Sequence, residues 1–130
     1  MALVEIYFDG GIVNNRVCIY DHSTKKHFVK SFNGRNYTNN ELEYMALIEA
    51  IKYARMQYQA TVDVTFKGDS RLIIMQVWKQ WKINHDHLRA LNKQVLILLD
   101  KMNHQGLWID RDRNYAGVYL EALIKNERRK

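Results

Sequence analysis

The 130 residues predict a mixed α/β fold: a five-stranded sheet flanked by helices. Two patterns carry this expectation. The first part of the chain holds three short segments rich in alternating or β-branched and aromatic residues, which reads as a meander. Beyond it, strand-like segments alternate with long runs of helix formers, as strands joined in parallel do. The expected sheet therefore has three antiparallel strands followed by two parallel additions.

The elements follow in order. In LVEIYFDGG, Val4, Ile6 and Phe8 face one way and Glu5, Tyr7 and Asp9 the other, so this is a strand closed by Gly10-Gly11. RVCIYDH and HFVKSF are the next two strands, parted by the polar Ser23 to Lys26. A polar loop through Asn33-Gly34 and Tyr37 to Asn40 leads into a helix, ELEYMALIEAIKYARMQ, which Thr38, Asn39 or Asn40 is suited to cap. TVDVTFKG alternates again as a fourth strand, and a helix from Ser70 to about Lys79 follows. HLRALNKQVLILLDKM is an amphipathic helix ended near Gly106, LWID a short fifth strand, and 114–126 the last helix.

Size and composition set the outer bounds. The length fits one domain spanning 1–130, with no separate substrate-binding domain at either end. No apolar run approaches the ~20 residues that cross a bilayer, so no membrane partner is expected. The first residues lack a basic start and do not read as a signal peptide. Cys18 is the only cysteine, which excludes an internal disulfide and a Cys-rich zinc site. A cytoplasmic monomer with a reduced thiol is the expectation. The net charge of +6 favours polyanionic partners. The tail KNERRK is polar enough to fray.

Three acids stand at informative places. Asp9 ends the first strand, before two glycines that let backbone or a ligand come close. Asp69 ends the fourth strand at a helix start. Both lie where α/β sheets place ligands, at the C-terminal ends of strands. Glu43 opens an apolar stripe through Leu47, Ala50, Ile51 and Ala54, where a lone carboxylate is costly to desolvate. Read singly, Asp69 also serves as a helix cap, Asp9 as a turn former, and Glu43 as a residue reaching out to a lysine. Read together, they share one explanation in a divalent cation with oxygen ligands. Without the cation their mutual repulsion raises at least one pKa.

Ile6-Tyr7-Phe8-Asp9-Gly10-Gly11, Thr38-Asn39-Asn40-Glu41-Leu42-Glu43-Tyr44-Met45-Ala46 and Gly68-Asp69-Ser70 resemble the three acidic motifs of type 1 ribonuclease H. The element order matches that family's fold along the whole chain. The resemblance implies a ribonuclease H-like fold and hydrolysis of the RNA strand of an RNA–DNA hybrid, with 5′-phosphate and 3′-hydroxyl ends. It implies two Mg²⁺ ions with substrate, or Mn²⁺ in their place, held by Asp9, Glu43 and Asp69, with Asp9 bridging and Glu43 also touching a 2′-hydroxyl. Thr38 would seat a phosphate of the DNA strand, and Asn39 and Asn40 would face the minor groove. Gly10 and Gly11 would border the substrate, and Ser70 and Arg71 would touch the RNA backbone, though both also fit an exposed helix start.

The chain departs from the family at its last motif. Where the fourth acid belongs, at the start of the last helix, Asn114-Tyr115-Ala116 is one residue short and Gly117 follows. Glu121, one turn on along the same face, is the tentative substitute and is equally an ordinary exposed acid. Asp110 and Asp112 are the other candidates, although Arg111 and Arg113 offer them local charge pairing. The histidine many members carry before this motif is absent, with His104 expected on the surface. His85 and His87 are expected to diverge and to bind no metal.

Trp78-Lys79-Gln80-Trp81-Lys82 interleaves aromatic and basic residues, a pattern that grips nucleic acid; Trp81 and Lys82 are the candidates, with at least one tryptophan expected in the core. The basic helix and loop that many members insert here is missing. Two alternatives stand beside the nuclease: a weakened or inactive nucleic-acid-binding module of this fold, and a same-fold nuclease with another substrate.

Overall fold

The structure, a computed structural model, describes residues 3–129. Its elements are β1 (Leu3–Gly11), β2 (Arg16–Asp21), β3 (Lys26–Ser31), α1 (Asn39–Gln57), β4 (Asp63–Gly68), α2 (Arg71–Trp78), α3 (Asp86–Leu99), β5 (Asn103–Trp108), a 3₁₀ turn (Arg111–Arg113) and α4 (Tyr115–Arg128). The sheet runs β3-β2-β1-β4-β5. β1, β2 and β3 pair antiparallel, whereas β4 joins β1 and β5 joins β4 in parallel, which is the mixed sheet expected from the sequence.

Alternation in β1 divides the molecule. Val4, Ile6 and Phe8 point into the main core with Leu47, Ile51 and Ala54 of α1, all nearly inaccessible. Tyr7 points the other way, into a smaller cluster with Cys18, Tyr20, Ala116 and Leu120 beneath α4. β2 is buried along its whole length because helices cover both of its faces. Burying a Leu or Ile fully contributes about 2 kcal/mol, so the α1 face supplies most of the cohesion.

Helix ends follow their cap chemistry. Thr38, rather than Asn39 or Asn40, caps α1: its hydroxyl accepts from Glu41 N while the Glu41 carboxylate accepts from Thr38 N. Ser70 caps α2 and Asn114 caps α4. Arg16 reaches across from β2 with two 2.8 Å hydrogen bonds to Glu127, fixing the far end of α4. The KNERRK stretch therefore continues the helix to Arg128 instead of fraying, and Lys130 lies outside the described residues.

The fifth strand needs correction. It is Asn103–Trp108, not the LWID segment. Its first half is polar because it is an exposed edge, so hydrophobic alternation does not mark it. Parallel pairing with β4, from Asp63↔Asn103 to Gly68↔Trp108, sets its register. Gly106 accordingly lies in the strand rather than ending a helix; a Cβ there would overlap the Trp78 ring packed on it. α3 stops at Leu99, and Lys101 takes a left-handed φ of 64° on the way to β5.

Candidate active site

β1 and β4 are parallel neighbours in register from Leu3↔Asp63 to Tyr7↔Lys67, so Asp9 and Asp69 emerge side by side at their C-terminal ends. α1 crosses β1 so closely that a Cβ on Gly10 would overlap the Leu42 carbonyl. That approach brings Glu43 down to the strand, where its Oε1 accepts from Gly10 N at 2.6 Å. One ligand oxygen from each of Asp9, Glu43 and Asp69 lies within 4.8 Å of the others. Glu43 is 4% exposed, and Asp9 and Asp69 are half-buried.

Three acids in so small a space perturb one another. Burial first, and then the charge of Asp69, push the Asp9 carboxyl up to about 6, while Arg111 works against them. Burial and the charge of Asp9 hold Glu43 well above the usual carboxylate range, despite the Gly10 hydrogen bond. The donor set is all oxygen and carries more negative charge than its surroundings balance, which is what a hard divalent cation requires. The residues present fit such an ion.

Asn114 organises the third acid. Its Nδ2 donates to Asp69 Oδ2 at 2.9 Å and to the Phe8 carbonyl at 3.0 Å, and its Oδ1 accepts from Ala116 N. Gly117 then faces the acids directly: a Cβ there would lie 3.2 Å from Asp9 Oδ2 and 3.4 Å from Asp69 Oδ2. Position 117 is thus where a further ligand would point, and glycine supplies none. Glu121 lines the same cavity of about 270 Å³, but is exposed and 3.7 Å from Lys125 Nζ.

The flanking residues sort by position. Gly11 and Asn39 line the cavity, and Asn40 is half-buried in the first turn of α1. The Thr38 hydroxyl accepts the capping bond and keeps its own proton to donate. Arg71 lies over the rings of both Trp81 and Trp108, 5.2 and 5.4 Å from their centroids, and both indoles are nearly half exposed. Lys82 is exposed beside them. Trp78 is the packing member of the tryptophan pair, stacked against Phe66 and donating to His104 Nδ1 at 2.9 Å, which leaves His104 away from the acids.

Several expectations fail here. Asp110 and Asp112 enter no ion pair with Arg111 or Arg113 among the described residues. His85 and His87 do not diverge; their rings lie 5.4 Å apart, with no third ligand grouped with them among the described residues. Trp108 is a site neighbour that the sequence does not single out, and Asn114 enters the sequence reading only as part of the last motif, not as a partner of Asp69. A buried asparagine cap is indistinguishable there from an ordinary one, and Trp108 is brought beside Arg71 by the pairing of β5 with β4.

A reverse transcriptase-like family model matches residues 10–120. Among solved structures, RNase H1 from the halophilic archaeon Halobacterium salinarum NRC-1 superposes with a TM-score of 0.80 at 27% identity, over 95% of this chain and 99% of that one. LC11-RNase H1, isolated from compost by a metagenomic approach, gives 0.79 at 25% identity, over 97% and 99%. The uncharacterized protein YpeP of Bacillus subtilis (strain 168) is 33% identical over 60% of this chain. The match spans only 38% of YpeP's own length.

Proposed function

The chain belongs to the reverse transcriptase-like family, a type 1 ribonuclease H-like family, and from that premise we propose that it is a metal-dependent endoribonuclease cutting the RNA strand of RNA–DNA hybrids. The observation that carries this reading is the convergence of Asp9, Glu43 and Asp69 within 4.8 Å at the open ends of β1 and β4. These three carboxylates would hold Mg²⁺ or Mn²⁺, which would supply Lewis-acid polarisation of a phosphodiester and lower the pKa of an attacking water.

The chain's own residues account for the rest. The Gly10 N–H orients Glu43, and Asn114 orients Asp69, so neither carboxylate must reorganise when substrate arrives. Asp9 and Glu43, whose carboxyls are raised in the metal-free site, would be held ionised by a bound cation. Water would add to phosphorus and give up a proton, the bond from phosphorus to the 3′-oxygen would break, and that oxygen would take up a proton, leaving a 5′-phosphate and a 3′-hydroxyl. Thr38, Asn39 and Asn40 at the α1 N-terminus suit the DNA strand and the shallow minor groove of an A-like duplex. Ser70, the Arg71–Trp81–Trp108 stack and Lys82 suit the backbone of the RNA strand.

Gly117 favours a second reading, a binding module whose catalysis is weak or lost. One experiment decides: end-labelled hybrid, duplex RNA and duplex DNA are incubated with the chain in Mg²⁺ and in Mn²⁺. We expect cleavage of the hybrid's RNA strand alone, falling about 1,000-fold or more in Asp9→Asn. Tight hybrid binding with no cleavage in either metal would establish the binding module, and cleavage of another duplex would move the substrate assignment.

A further inference from the structure

We propose that a shelf of tyrosine and histidine rings behind α4 binds an unpaired strand of nucleic acid, stacking two of its bases on Tyr115 and Tyr119. The shelf stands apart from the cavity at the acids and does not depend on the nuclease reading above.

Placement is the first argument. Gly117, Leu120, Glu121 and Ile124 turn one side of α4 to the cavity. Tyr115 and Tyr119, one turn apart, lie on another side and meet rings of the sheet instead. The Tyr115 ring stacks on His22, with centroids 5.8 Å apart and planes at 23°. The Tyr119 ring stacks on His27 at 4.1 Å and 14°. Tyr7 and Tyr20 are buried beneath, yet Tyr115 is 48% exposed and Tyr119 37%. Two large rings thus keep open faces, each braced from behind by an imidazole. Burial lowers the His27 imidazole from its ordinary value, so at neutral pH it is an uncharged ring suited to stacking.

Chemistry is the second. Aromatic faces beside cations suit a single strand, because every base offers a π-face and every link a phosphate. Lys25 Nζ lies 3.3 Å from His22 Nε2 and stands in no ion pair among the described residues, so its charge is available to a phosphate. At the other margin Lys67 lies 5.3 Å from the Tyr7 centroid, answered by Glu5 at 3.2 Å. The two tyrosines stand about 6 Å apart along the helix axis, against the ~3.4 Å rise of stacked bases. A strand on this shelf is therefore splayed, one base to each ring. A duplex, with its bases paired inward, offers these rings nothing to stack on.

The test uses the full chain and fluorescein-labelled decauridylate in EDTA, where nothing is cut and only binding is read. Tyr115→Ala and Tyr119→Ala should each weaken binding about tenfold, and Tyr119→Trp should keep it. Lys25→Ala should lower the salt-dependence slope by about 0.7. An abasic strand of the same length, which keeps every phosphate, should bind wild type at least about tenfold more weakly. Phe28→Ala, on the opposite face of β3, should change affinity less than about twofold. Decauridylate carrying 5-iodouracil should cross-link wild type at Tyr115 or Tyr119 under ultraviolet light, located by mass spectrometry, which needs no variant to fold. Equal binding of the abasic strand, undiminished binding in both alanine variants, or cross-links confined to Trp81 and Trp108 each overturn the proposal. So does a dimer in sedimentation equilibrium that Tyr119→Ala dissolves, which would give the shelf to a second copy. A chain that cuts no hybrid but passes these tests loses the nuclease reading alone.

Discussion

The two faces of the sheet are built differently. Beneath α1 and α3 lies a broad core in which Ile6, Leu42, Leu47, Ile51 and Phe66 are wholly inaccessible. Beneath α4 the buried cluster is small: Tyr7 and Tyr20 pack with Cys18, Ala116 and Leu120, and the exposed Tyr115 ring closes over the two tyrosines at 5.0 Å from each centroid. The carboxylates stand where these regions meet. Glu43 comes from the dense side, and Asp9 and Asp69 open toward α4. The dense face can hold a buried acid in place against its own desolvation, while the thin face leaves the cavity open beside the three carboxylates. Rigidity and access are thus supplied from opposite sides of one sheet.

The largest test of that division is packing. Leu47→Ala, on the dense face, should cost about 3 kcal/mol in urea unfolding, and Leu120→Ala under α4 about 2 kcal/mol. A larger loss at Leu120 would reverse the comparison.

The acids give a pH test of intermediate size. Asp9 and Glu43 have raised values in the folded, metal-free chain, so the folded state binds protons more tightly than the unfolded one. The contribution of these two acids to metal-free stability is therefore present when they are protonated and is lost as pH rises through about 6, the value for Asp9, whereas Glu41, held down to about 2 by Arg35, loses its contribution only in strong acid. Mg²⁺ should restore the melting temperature at pH 8. Asp9→Asn should raise the metal-free melting temperature there by about 5 °C and abolish most of the Mg²⁺ response. A wild-type melting temperature that climbs from pH 5 to 8 without metal would contradict the electrostatics.

The smallest effect tests the seam. Asn114→Ala removes a helix cap and the Asp69 hydrogen bond, costing about 1 kcal/mol of stability and weakening Mn²⁺ binding about tenfold by calorimetry. Lost stability with undiminished Mn²⁺ affinity would make Asn114 a cap alone.

Much of this was legible beforehand because the signals were local. Val4, Ile6 and Phe8 betray β1 by alternation, and Glu43 betrays itself as a charge within an apolar helical stripe. Asp9 and Asp69 follow from strand ends, so the three acids could be named without knowing how near they lie. β5 was displaced because an exposed edge strand carries no hydrophobic period, and Gly106 reads as a helix stop when the Trp78 ring above it is unseen. The roles of Asn114 and Arg111 depend on how the chain turns back after β5, which no spacing encodes. Gly117 could be identified as a departure from the family, but its direct line onto two carboxylates is a property of the folded backbone alone.

That line of sight has an evolutionary meaning. Every glycine codon becomes an aspartate or glutamate codon through one change at its second base. The backbone at 117 already aims at the acids, so a fourth carboxylate is a single mutational step away, and its loss is just as simple. One base therefore separates a three-acid from a four-acid site on this scaffold, provided the Asp9 carboxylate gives way by a few tenths of an ångström to a Cβ placed 3.2 Å from its Oδ2.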